Sequence, residues 1–181
     1  MKIGTIVLAA ATWMPLFAQE MRLPANLDAL AAKAEESVDV TLDGSMLRLA
    51  AKWLPDRGED AKAKKLIAGL EGIYVRCLQF ASEGEYNKAD VDAFRAQFRA
   101  PGWSRIVGAH SKRHGGDADV FIKADSNGTI QGIVVISAEP RELAVVNVVG
   151  TLDPSQLSDL GVLHIHGLDL VSCDNWRRES K

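Results

Sequence analysis

The stretch Ile130-Gln-Gly-Ile-Val-Val-Ile-Ser137, followed across Glu139-Pro-Arg-Glu142 by Leu143-Ala-Val-Val-Asn-Val-Val149, decides the fold. β-Branched residues crowd both segments, and a proline-centred turn separates them, so they read as two strands of a hairpin. Side chains alternate sides along a strand. Ile130, Val134 and Ile136 therefore fall on one face, with Ile133 and Val135 on the other. In the second strand Leu143, Val145 and Val149 oppose Val146 and Val148. A sheet packed on one side only should alternate apolar with polar, and these strands do not. They are expected to be neighbours near the sheet centre. The face of Ile133, Val135, Val146 and Val148 needs cover from the chain itself, a second copy or an apolar ligand, which makes it the candidate binding surface.

Working outward, Val120 to Ala124 and Trp103 to His110 read as two more strands. Ser126-Asn127-Gly128 predicts a tight hairpin of type I′, because Asn-Gly tolerates positive φ. His114-Gly115-Gly116-Asp117 is expected to join the preceding pair. Towards the N-terminus, Val38, Val40 and Leu42 alternate with Asp39, Thr41 and Asp43, a half-buried strand. Ser45 is expected to cap a helix whose stripe is Leu47, Ala50, Ala51 and Leu54. Asp60 to Leu70 continues as a helix with Lys62, Lys64 and Lys65 on a solvated face. Ile73 to Phe80 is a strand. Asn87 with Asp90 marks a helix start, and Val91, Phe94 and Phe98 form its inward stripe before Pro101-Gly102. The prediction is an α+β fold: a single antiparallel-rich sheet with helices packed mainly on one face.

Lys2, the apolar run Ile3 to Phe17 and the boundary Ala18-Gln19-Glu20 make a secretory signal peptide. The run is shorter than the ~20 residues a membrane helix needs. The expected organisation is residues 1–18 as signal peptide, 19–168 as one α+β domain and 169–181 as a polar, frayed tail. Cleavage after Ala18 would leave an exported, periplasmic or extracellular monomer with no membrane span. Of the full chain, 47% is hydrophobic and 25% charged, ordinary material for a packed core. The net charge is −3, and losing Lys2 leaves 20 basic against 24 acidic residues. That balance argues against nucleic acid and against electrostatic docking on anionic membranes. Cys77 and Cys173 are the only cysteines. Spacing alone does not show that they meet, and two independent thiols are the favoured reading.

Val38-Asp-Val-Thr-Leu-Asp-Gly-Ser-Met-Leu47 and Leu70-Glu-Gly-Ile-Tyr-Val-Arg76 resemble segments of a bacterial exported family, domain of unknown function 4252. So do Pro101-Gly-Trp-Ser-Arg-Ile-Val107 and Glu139-Pro-Arg-Glu-Leu-Ala-Val-Val-Asn-Val-Val-Gly150. The resemblance spans roughly Leu27 to Leu168. It implies an exported protein and brings no catalytic residues to carry over.

Chemistry-bearing clusters are sparse. His164 and His166, with Asp169 or Asp174, are weak candidates for a metal site, since imidazoles two apart share one face of a strand. His110 and His114 with Asp117 and Asp119 form a second cluster, in which His110 and Asp119 are expected to face each other across the hairpin. Lys112 and Arg113 oppose a cation there, and a solvated hairpin tip is the favoured reading. Asp39 and Asp43 lie among exposed positions. There is no G-x-S-x-G elbow and no phosphate loop, and the Asn127-Gly-Thr129 glycosylation signal is sufficiently explained as a turn. The expectation is a non-catalytic envelope protein without cofactors. Its partner would be an unknown envelope protein, an apolar ligand or a second copy through a sheet face. The alternative is an envelope enzyme or metal-binding protein using His110 with Asp119, or His164 with His166.

Overall fold

The structure is a computed structural model that describes residues 25–112 and 115–153. The expected signal peptide, His114, His164, His166, Asp169, Cys173, Asp174 and the expected polar tail lie outside the described residues. The chain runs α1 (Ala25–Ala31), β1 (Glu36–Asp43), α2 (Gly44–Ala51), α3 (Gly58–Ala68), β2 (Leu70–Gln79) and α4 (Lys88–Arg95). A 3-10 turn (Ala96–Arg99) follows, then β3 (Trp103–Ser111), β4 (Gly116–Ala124), β5 (Ile130–Glu139) and β6 (Glu142–Leu152).

The six strands form one sheet in the order β1-β2-β6-β5-β4-β3, and every pairing is antiparallel. β5 and β6 take the two central places, as their two-sided apolar pattern requires. Their register sets Ile133 opposite Val148 and Val135 opposite Val146, so the four residues of the candidate surface are cross-strand neighbours. The ladder slips between Ile130 and Gly132. That slip turns Ile130 away from Val134 and into the cluster of Ile133, a correction to strict alternation.

The helices divide between the two faces. On one, Leu27 and Leu30 of α1, Val91 and Phe94 of α4, and Phe98 pack on Leu78, Phe121, Val134, Ile136, Leu143 and Val145. Phe98 is the hub, with ring centroids 5.2 Å from Phe94, 5.0 Å from Trp103 and 5.1 Å from Phe121. On the other, Leu47 of α2 and Leu66 and Ile67 of α3 join Val120, Ile133, Val135 and Val148. The expectation of cover mainly on one face is therefore corrected: sheet residues of both parities are apolar, so both sides need helices.

Local signals account for the helix starts. Asn87 and Asp90 make a reciprocal capping box, with bonds of 3.1 and 3.0 Å. At α2 the cap is Asp43, whose carboxylate accepts from the backbone of Ser45 at 2.8 Å and Met46 at 2.9 Å. Ser45, expected as the cap, instead donates its hydroxyl to Asp43. That hydroxyl, then the Met46 backbone, holds the Asp43 carboxyl below its usual range. In the same way Asp125 accepts from the backbone of Asn127 and Thr129 and organises the β4–β5 turn. Only Gly128 takes positive φ there, at 81°, so the turn is not the expected type I′.

Cys77 is buried and disulfide-bonded, which corrects the expectation of an independent thiol. Among the described residues no helix is long and apolar enough to cross a membrane.

Candidate functional site

Two places concentrate the features that a site needs. The first lies on the α4 side of the sheet. The helical period that turns Val91, Phe94 and Phe98 inward also brings Arg95 to the sheet, one turn beyond Val91. Its Nε donates to Asp119 Oδ2 at 2.5 Å, and Nη1 donates to Asp92 at 3.0 Å. Its Nη2 lies 3.6 Å from Asp117. Burial works against the charged guanidinium, but Asp92, Asp119 and Asp117 outweigh it and raise the Arg95 pKa.

Asp119 is only 1% exposed, and Arg105 reaches it from β3 as a second ion-pair partner. The Arg105 contact is an ion pair without hydrogen-bond alignment, since Asp119 Oδ1 has no hydrogen bond of its own. Gly108 stands directly opposite Asp119. A Cβ on Gly108 would collide with the Arg105 guanidinium, so glycine clears the path from Arg105 to the carboxylate.

His110 pairs with Asp117, which faces it in the β3–β4 register. The expected His110–Asp119 pairing is corrected, because the hairpin closes at Ser111 opposite Gly116 and fixes the offset. Burial raises the Asp117 pKa, but the His110 hydrogen bond and the Arg95 charge outweigh it, and the net shift is downward. Asp117 is therefore an ionised acceptor at neutral pH.

Arg95, His110 and Asp117 border a cleft of about 340 Å³, shared with Tyr86, Lys88 and Glu139. Tyr86 donates its hydroxyl to the carbonyls of Glu139 and Glu142, tying the loop before α4 to the β5–β6 turn. Burial first, then Glu139, Asp117 and Glu142, raises its pKa and keeps the phenol a donor. The cleft can orient a small polar ligand by hydrogen bonds and ion pairs. Its described lining has no Ser, Thr or Cys to act as a nucleophile. Among the described residues no group of three or more His, Cys, Asp or Glu could hold a metal ion.

The second place is the opposite, α3-facing side at the sheet centre. Ile133 is 7% exposed and packs into the α2–α3 cluster. Val135, Val146 and Val148 remain partly exposed beside it. The structure thus brings the four residues together, and leaves three of them within reach of a ligand or partner.

Arg95 and Asn147 went unnoticed in the sequence. The signal for Arg95 was its place between two inward residues of one helix. Asn147 stands among apolar neighbours in β6, buried, with neither amide atom hydrogen-bonded. Asp39, read as an exposed carboxylate, pairs with Arg76 at 2.5 Å, and Asp28 holds the same guanidinium at 3.0 Å.

An α+β domain on a six-stranded antiparallel sheet, with a charged cleft on one face and a half-buried apolar patch on the other, is the class these features define. The chain belongs to the family described as Domain of unknown function (DUF4252), whose model matches residues 32–160, more than half of the chain and all six strands. No curated protein and no solved structure matches it.

Proposed function

We propose that this chain is an exported, non-catalytic binding domain of the bacterial cell envelope, working through the sheet face of Ile133, Val135, Val146 and Val148. The observation that carries the reading is a contrast within β5 and β6. Val134, Ile136 and Val145 are 0% exposed on the α4 side, whereas Val135, Val146 and Val148 keep part of their surface open on the other. Apolar residues left open at a sheet centre mark an interaction surface when they form a contiguous patch. The signal-peptide pattern supports the compartment.

Val135→Asp tests the proposal. A variant that keeps its circular dichroism spectrum but no longer self-associates in sedimentation, or no longer captures an envelope protein held by the wild type, supports a binding face. Collapse of the fold would assign the cover to the chain itself. A folded variant unchanged in every association assay would remove the proposal. N-terminal sequencing of the exported product tests the compartment, with cleavage expected after Ala18.

The cleft favours a second reading, an envelope enzyme in which His110, oriented by Asp117, accepts a proton from a bound ligand. Its lowered Asp117 pKa suits an orienting carboxylate, not a general acid. If an activity is found, its loss in His110→Ala with stability retained would favour this reading.

A further inference from the structure

The α2 helix exposes three large apolar side chains in a row: Met46 at 51%, Leu49 at 57% and Trp53, in the turn that continues it, at 83%. Positions three and four apart share a helix face, so these side chains form a ridge, with exposed Ala50 among them. The buried side of the same helix is Leu47 and Ala51. Arg48 and Lys52, four apart, occupy the row between the buried side and the ridge. The helix has no acidic residue. From Gly44 to Ala68 the basic residues Arg48, Lys52, Arg57, Lys62, Lys64 and Lys65 outnumber Asp56, Glu59 and Asp60, in a chain whose total is −3. The whole-chain balance, which argued against anionic membranes, conceals this local excess.

We propose that α2 docks the domain on an anionic phospholipid surface, lying in the interface with Met46, Leu49 and Trp53 inserted and Arg48 and Lys52 against the headgroups. An apolar arc bordered by cations, with a Trp at its end, is the pattern of helices that lie in a membrane interface. The occupant follows from shape and area as well as charge. The feature is a ridge, which seats in a deformable bilayer. Three side chains offer a few hundred Å² at most, short of the ~800 Å² per partner of a specific protein interface. This surface is distinct from the sheet patch, and neither proposal depends on the other.

The test is co-sedimentation of the full chain with vesicles of phosphatidylcholine, alone or mixed equally with phosphatidylglycerol. The apolar run Ile3 to Phe17 stays in every variant, so a loss of binding maps to α2. Wild type is expected to bind the mixed vesicles, and to be released as salt rises from ~0.1 to ~1 M, which shortens screening from ~10 to ~3 Å. Replacing Met46, Leu49 and Trp53 together by Ser should lower partitioning at least about tenfold. Arg48→Gln and Lys52→Gln should each lower it about fivefold, as expected for ~1 kcal/mol per basic residue. All five positions are exposed, and circular dichroism verifies the fold. Absent binding, equal binding to pure phosphatidylcholine, or binding unchanged in the triple variant would overturn the proposal. Self-association lost in the triple variant, or capture by polyglutamate without vesicle binding, would also overturn it and reassign the ridge to a second copy or an acidic peptide.

Discussion

The two faces of the sheet are built from the same β-branched strands and end in different states. On the α4 side, aromatic rings and aliphatic chains close over β5 and β6 until Val134, Ile136 and Val145 have no solvent contact. The buried charges there are neutralised in place, Asp119 by Arg95 and Arg105. On the α3 side the helices reach Ile133 but leave Val135, Val146 and Val148 partly open. Identical residue types thus end with different exposure: one face is fully closed, and the other is half-buried.

Mutations should separate the two faces by size of effect. Phe98→Ala, which removes the hub of four aromatic rings, is expected to cost ~3–5 kcal/mol in denaturant unfolding. Asp119→Ala should cost ~2 kcal/mol, because it removes the buried partner of the Arg95 Nε and leaves that guanidinium only Asp92 and Asp117. Adding Arg95→Met should then recover part of that loss, and a double-mutant cycle measures how much. Between the central strands the contrast is direct. Val134→Ala is expected to cost ~2 kcal/mol and Val135→Ala ~1 kcal/mol or less. Equal losses at the two positions would mean that the two faces are equally closed.

The smallest expected effect is a pH dependence. The folded pKa of Asp117 lies below its unfolded value, so its contribution to stability is present above about pH 4 and is lost as pH falls through the lowered folded pKa. Asp117→Asn should lower stability at neutral pH by that contribution, leave it unchanged below the folded pKa, and so flatten that part of the acid limb. An acid limb identical to wild type would show that the His110 and Arg95 contacts do not bias its ionisation.

The strands were legible because alternation and turn residues are local. The Asn87 capping box and the Val91, Phe94 and Phe98 stripe were legible for the same reason. What escaped depended on offsets between segments. His110 meets Asp117 because of where one hairpin closes, and Ile130 changes face because one ladder slips. Asp43 and Ser45 are both good caps two positions apart, and only the backbone decides which carboxylate or hydroxyl accepts. Two-sided apolar strands correctly foretold a central place in the sheet. They could not tell which helices would reach which side, because α2 and α3 precede the strands that they cover.

The strand order carries a consequence for how this molecule is made. β6, the last strand among the described residues, lies between β2 and β5, and among those residues its pairings alone join β1–β2 to β3–β4–β5. A chain emerging from the ribosome N-terminus first can form a hairpin and a three-stranded meander, but cannot unite them before Glu142 to Leu152 is available. Contacts so distant in sequence also assemble slowly. Until then β2 and β5 present unpaired apolar edges, which invite a chaperone and hazard aggregation. This late closure leaves the two halves of the sheet unjoined through most of the chain's synthesis.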